Sequence, residues 1–175
     1  MVGGSQGARI MADIVPPAIE RLEPALWRRL ALVQQVREED MSRVRSVYDR
    51  LKIHAELAPF FTDMPARLAS AHLVVSRSGA GTVAELAGVG RPSILVPLPG
   101  SIDQDQFANA GVLMKTGGAI RIPQTEFTPD RLASEISALA AEPRRLAEMA
   151  RNARSAGTLD AAERLADLVQ KVMRR

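Results

Sequence analysis

Apolar residues follow two rhythms along this chain. Short apolar runs bounded by polar or turn residues predict buried strands: LALVQQV (30–36), HLVVSR (72–77), SILVPL (93–98) and AIRI (119–122). HAELAPF (54–60) is a weaker strand of the same kind. Between these runs the apolar positions recur at helical spacing, over 8–15, 38–53, 64–71, 81–90 and 103–115. The first of these helices is expected to break at Pro16-Pro17 and resume over 18–22, with proline in its tolerated first-turn place. Gly90 closes the 81–90 helix. Residues 128–175 read as helix almost throughout, with breaks at Pro143 and Gly157. Strands alternating with helices predict βαβ units, hence an α/β fold: a Rossmann-like parallel sheet with helices on both faces. Such sheets bind ligands beyond the carboxyl ends of their strands, so the chemistry is expected in the turns that follow them.

Composition narrows the partners. A chain of 175 residues with 46% hydrophobic content is long and apolar enough to build one core. Aromatics make up only 3%, too few for platforms that stack single-stranded nucleic acid. The net charge of +3 is spread over helices and mixed with acids, which argues against DNA and suits an anionic ligand or a membrane-facing neighbour. With no cysteine, disulfides and thiolate metal sites are excluded. His54 and His72 lie far apart without metal-ligand spacing, which argues against a metal site; no cofactor is expected. No apolar run reaches the roughly 20 residues of a membrane span. The start of the chain lacks a charged-then-apolar signal pattern, which makes the cytoplasm the default compartment.

Three turns carry candidate chemistry. GGSQGAR (3–9) is a glycine-rich turn running into a helix, where free N–H groups and the positive dipole end favour a phosphate. It lacks the lysine of a Walker loop and the spacing of a dinucleotide fingerprint. SRSGAGTVAE (76–85) again leads a buried strand through small residues into a helix. There Ser78 or Thr82 would serve as a helix cap, and Glu85 would either close a capping box with Thr82 or accept both hydroxyls of a ribose. Two such turns on one sheet place two helix N-termini around one crevice, an arrangement suited to a diphosphate. PLPGSIDQDQFANA (97–110) follows a third strand and gathers carboxylates and amides of the kind that recognise sugars.

Together GGSQGAR, PFFTDMPARLASAHLVVSRSGAGTVAELAGVGRPSILVPLP and DQDQFANA resemble the C-terminal half of the MurG family of N-acetylglucosaminyltransferases. The resemblance covers nearly the whole chain in the right order. It implies the C-terminal domain of a two-domain GT-B glycosyltransferase, with residues 1–175 forming the UDP-sugar donor domain. It implies a role for Ser5 and Gly4 near the diphosphate and for Phe61 in offering backbone groups to the uracil. Ala80, Gly81 and Thr82 would face the phosphates, Glu85 the ribose, and Asp105 and Gln106 the sugar hydroxyls, with Asn109 supporting that turn. Arg77 is expected to be structural. The family commonly carries histidine or glutamine in the place of Asp105, which makes Gln106 the firmer sugar contact. Its His-Gln-x-Gly motif is matched here by Gln34-Gln35-Val36-Arg37 without the glycine, and no ligand role follows for those residues.

The resemblance further implies that the chain starts inside the first strand, of which Met1 and Val2 remain. The N-terminal domain, with the acceptor site, the membrane-facing patch and the catalytic base, would lie outside it. The expected activity is inverting transfer of N-acetylglucosamine from UDP-N-acetylglucosamine to lipid I, giving lipid II for peptidoglycan. The parent would be a peripheral protein on the cytoplasmic side of the inner membrane. Another UDP-sugar glycosyltransferase domain and a non-catalytic nucleotide-sugar module are the competing readings.

Overall fold

The computed structural model describes Met1, residues 8–101 and residues 104–173. Helix α1 (Arg9–Glu20) and the short α2 (Pro24–Trp27) lead to strand β1 (Leu32–Gln35), helix α3 (Glu38–Arg50) and strand β2 (Ala55–Ala58). Helix α4 (Met64–Ser70), strand β3 (Val74–Ser76), helix α5 (Ala80–Val89) and strand β4 (Ser93–Leu95) continue the alternation. Helix α6 (Asp105–Thr116) precedes strand β5 (Ala119–Arg121), a 3₁₀ turn at Gln124–Glu126, and helices α7 (Pro129–Ala141), α8 (Pro143–Ser155) and α9 (Ala161–Met173). Each strand is shorter than its apolar run because the ladder ends where the chain turns into the loop.

All strand pairs are parallel, as the βαβ pattern predicts. Among the described residues they form two ladders, β1–β2 and β3–β4–β5. Met1 occupies the edge of β1: its amino group donates to the Val33 carbonyl at 2.5 Å, and its carbonyl accepts the Gln35 N–H at 3.0 Å. That exchange is the bonding of a parallel bridge, so Met1 stands as one residue of a further strand beside β1. Below it a cavity of about 560 Å³ separates the two ladders. Residues 29–33 form one wall and 71–75 the other, with Ile19 and Ile136 on one face and Phe61, Met64 and Leu68 on the opposite face.

Successive residues of the central strands face opposite helical layers. Val75 and Ile94 join the cluster made with α1, α3 and α7, while Val74 and Leu95 join the cluster of α5, α6 and α8. Helix α1 passes straight through Pro16 and Pro17, contrary to the expected break. Pro16 has no N–H for the Ala12 carbonyl one turn back, and the Arg43 guanidinium supplies the missing donor at 3.1 Å. Arg43 also pairs with Asp13 at 2.7 Å, which fixes α3 against α1. At the other end of the βαβ pattern the glycine signal holds: Gly90 adopts φ +70°, and the Arg91 N–H bonds the Leu86 carbonyl at 2.9 Å, a Schellman closure of α5.

Candidate functional site

The turn after β3 ends in Gly79, which is the N-cap of α5 and makes no side-chain capping bond. The first bond of the helix runs from the Val83 N–H to the Gly79 carbonyl at 3.0 Å. The N–H groups of Ala80, Gly81 and Thr82 therefore have no partner within the helix and sit at its positive dipole end. Ala80 and Gly81 are exposed. A Cβ built on Gly81 would meet nothing within 4 Å, so packing against the rest of the chain does not demand glycine here. With Gly79 as cap, Thr82 lies inside the first turn, and the capping box with Glu85 is not formed. Glu85 is exposed, and no described residue bonds its carboxylate. Ser78 does not cap the helix either. It is fully buried, and its hydroxyl donates to the Gln106 carbonyl at 2.8 Å.

That bond joins the first turns of α5 and α6. Gln106 is further tied to the loop after β4, since its Oε1 accepts the Leu98 N–H at 3.0 Å. No described residue takes the Gln106 Nε2. Asp105 is exposed and its Oδ1 accepts the Gln106 N–H at 2.7 Å. Asn109 follows one turn on and is half-buried. The N-cap of α6 is Gln104 in the left-handed region, φ 55° and ψ 30°. A side chain there costs strain, and such strain is held at sites where the loop must take one shape. Ser5 and Gly4, with the rest of the glycine-rich turn, lie outside the described residues, as does Asp103.

Phe61 lies between β2 and α4 with its ring buried. The Arg67 guanidinium stacks 4.2 Å from the ring centroid. Arg67 is also bidentate to Glu56 at 2.7 and 2.8 Å and bonds Asp63 through Nε at 2.6 Å. These hydrogen bonds hold the Glu56 and Asp63 carboxyls below their ordinary range and push Arg67 up. Arg77 is half-buried and donates to the Val96 and Pro97 carbonyls at 3.2 and 3.1 Å and to Gln124 at 2.6 Å. Its role is to pin the loops after β4 and β5, and burial alone moves its pKa down. Gln34 is buried: its Oε1 accepts the Tyr48 hydroxyl at 2.5 Å and its Nε2 reaches the Met11 carbonyl at 3.4 Å. Sequence reasoning missed the Arg67 cluster and the Ser78 bridge. The Asp63–Arg67 spacing of four on a helix start was the available signal for the first; the second joins residues far apart in the chain and had none.

Ala80, Gly81, Thr82 and Glu85 thus line the start of one helix, and Asp105 and Gln106 the start of another joined to it through Ser78. Phe61 precedes α4, which packs on α5, and it lines the cavity between the two ladders. The model of the glycosyltransferase family 28 C-terminal domain matches residues 1–165. The chain belongs to this family. It is 84% identical over 172 residues, 98% of its length, to the UDP-N-acetylglucosamine--N-acetylmuramyl-(pentapeptide) pyrophosphoryl-undecaprenol N-acetylglucosamine transferase of Bradyrhizobium diazoefficiens. The protein of the same name from Nitrobacter hamburgensis is 74% identical over 174 residues. The chain spans 47% of the length of each of these relatives. The crystal structure of Acinetobacter baumannii MurG superposes with a TM-score of 0.86 at 32% identity, over 97% of this chain and 50% of that one. A more distant neighbour, the glycosyltransferase VinC in complex with dTDP, shares the fold alone, with a TM-score of 0.71 at 21% identity. The expected GT-B class therefore holds, as does the MurG resemblance.

Proposed function

We propose that this chain is the donor half of a hexosyltransferase that moves N-acetylglucosamine from UDP-N-acetylglucosamine to lipid I, giving lipid II. The observation that carries this reading is the first turn of α5: three N–H groups without helical partners, open space over Gly81, and the unengaged Glu85 carboxylate one turn on. The N–H groups take the diphosphate, Glu85 takes the ribose hydroxyls, and Phe61 takes the base through its backbone. Asp105 and the free amide of Gln106 face the sugar. Gly4 and Ser5 complete the phosphate cradle from the N-terminal turn.

In the transfer, the C4 hydroxyl of the muramyl sugar attacks C1 of N-acetylglucosamine with inversion, and UDP departs. Charge grows on the leaving diphosphate as the bond breaks. Fixed N–H dipoles aimed at it stabilise that charge without reorganising. The acceptor site and the base that removes the hydroxyl proton belong to the other half of the enzyme. The parent acts as a peripheral protein on the cytoplasmic face of the inner membrane, where lipid II feeds wall growth, cell shape and division. Among the described residues no helix is long and apolar enough to cross a membrane.

Calorimetric titration of this chain with UDP-N-acetylglucosamine, UDP-glucose and UDP tests the reading. Binding of UDP, with preference for the N-acetylglucosamine donor, is expected. Equal affinity for both sugars would favour another UDP-sugar transferase, and no binding of any would overturn the donor assignment. Transfer to a lipid I analogue by the isolated chain would refute the placement of the base in the other half.

A further inference from the structure

Phe61 combines two features that rarely occur together. The residue as a whole is 7% exposed and its ring is covered by Arg67, yet no hydrogen bond from a described residue reaches its backbone N–H or carbonyl. A residue anchored by its side chain, with its donor and acceptor both unspent, presents a fixed two-point edge to a ligand. Uracil offers the complement: the O4 acceptor beside the N3–H donor. Cytosine offers the reverse, an amino donor beside an N3 acceptor. One peptide donor and one peptide acceptor can tell them apart, provided neither can rotate. A site built to bond one pattern leaves polar groups unpaired with the other, and discrimination comes from that mismatch.

What prevents rotation is Arg67. Its Nη1 and Nη2 hold Glu56 of β2, its Nε holds Asp63 just before α4, and its guanidinium face covers the Phe61 ring. The three contacts tie together both ends of the loop that carries Phe61, and they lock the ring between them. A planar bidentate fork with a stacking face is a geometry lysine cannot reproduce. We propose that Arg67 is the positioning residue of base recognition, setting the uracil preference of the site through Phe61 without touching the ligand. This rests on the reading of the chain as a UDP-sugar donor domain.

The test uses the 175-residue chain and its Arg67→Met and Arg67→Lys variants, with uridine, cytidine, UDP and CDP as probes and circular dichroism as the check on folding. Wild type is expected to prefer uridine over cytidine and UDP over CDP. In Arg67→Met the affinity for uridine and UDP should fall about tenfold, the equivalent of 1.4 kcal/mol, and the preference over the cytosine ligands should largely vanish. The gain in affinity from uridine to UDP, which reports the phosphate contacts, should stay unchanged. Arg67→Lys should fall between the two. Should Arg67→Met keep the wild-type uracil preference, or lose all four ligands in proportion, Arg67 is merely structural and the proposal fails while the donor-site reading stands. Should wild type bind none of the four, the donor-site reading fails and the proposal with it. If Arg67→Met does not fold, Glu56→Gln, which weakens one arm of the clip, must lower the uridine-over-cytidine preference for the proposal to survive.

Discussion

Replacing Gly81 with valine separates the ligand from the fold. A Cβ at this position meets nothing within 4 Å, so alanine creates no clash with the protein and valine starts from open space. Glycine in a helix costs roughly 0.5–1 kcal/mol relative to alanine, so Gly81→Ala should hold or slightly raise stability. Valine gives back part of that gain through its stiff χ1. The melting temperature should therefore move by no more than about 2–4 °C, the equivalent of 1 kcal/mol in a domain of this size. Binding behaves differently. A phosphate oxygen bonded to the Gly81 N–H must come to about 2.9 Å of the nitrogen, and the valine branches fill the space beside that N–H. Losing even two hydrogen bonds to a charged group, at about 1.5–3 kcal/mol each, removes roughly 3–6 kcal/mol of UDP affinity. Uridine, which carries no phosphate, should lose far less. Calorimetric titration of wild type, Gly81→Ala and Gly81→Val with UDP and uridine, alongside thermal melts, reads both quantities. If valine weakens uridine and UDP equally, or leaves UDP unchanged at normal stability, the start of α5 is not the phosphate cradle.

Glu85→Ala should weaken UDP by about 1.5–3 kcal/mol with little change in melting temperature, because no described residue relies on its carboxylate; unchanged UDP affinity would end the ribose role. Burial holds the Met1 amino group at a pKa of about 5, against 8.0 in the unfolded chain. Between these values the unfolded chain binds the extra proton, so stability should rise with pH from 5 to 8 by up to about 1.4 kcal/mol per unit, and N-terminal acetylation should flatten this part of a chemical-denaturation series. Adding five apolar β-branched residues ahead of Met1 should raise the melting temperature, since Met1 already bonds the edge of β1 and a strand continuing from it would extend that pairing beside the cavity; a glycine-serine extension of equal length giving the same gain would count against it.

Strands and helices were legible in the sequence wherever period and punctuation agreed. The run at 93–98 yields a strand over Ser93–Leu95, and the Gly90 stop appears where its glycine places it. The failures share a cause: a long-range partner altered a local rule. Pro16-Pro17 reads as a break, but Arg43, far along the chain, supplies the donor that the helix lacks. Thr82 and Glu85 have capping-box spacing, but the helix starts at Gly79 and the spacing falls one turn too late. The glycine and small-residue turns could be read because backbone approach to a ligand leaves few residue types. The Ser78–Gln106 bridge could not, because serine before a helix reads locally as a cap.

The two ladders also bear on how the ligand is measured out. In the proposed site the base contact would come from the β1–β2 side, through Phe61, and the phosphate and ribose contacts from the β3–β5 side, through α5. Among the described residues no strand–strand ladder joins the two sides. Their spacing rests on the shared core, where Leu32 and Val36 from the first side pack in one cluster with Val75, Ile94 and Val96 from the second, under α1 and α7. Side-chain packing resists compression but carries no register, whereas a paired strand fixes both distance and offset. The distance from uracil to diphosphate in UDP is set by covalent bonds, so a site whose two halves shift relative to each other pays part of its binding energy to bring them into line. A strand lying in the cavity beside Met1 would therefore act on both contacts at once. It would raise the affinity for UDP more than the affinities for uridine and pyrophosphate taken separately, because only UDP must engage both halves together.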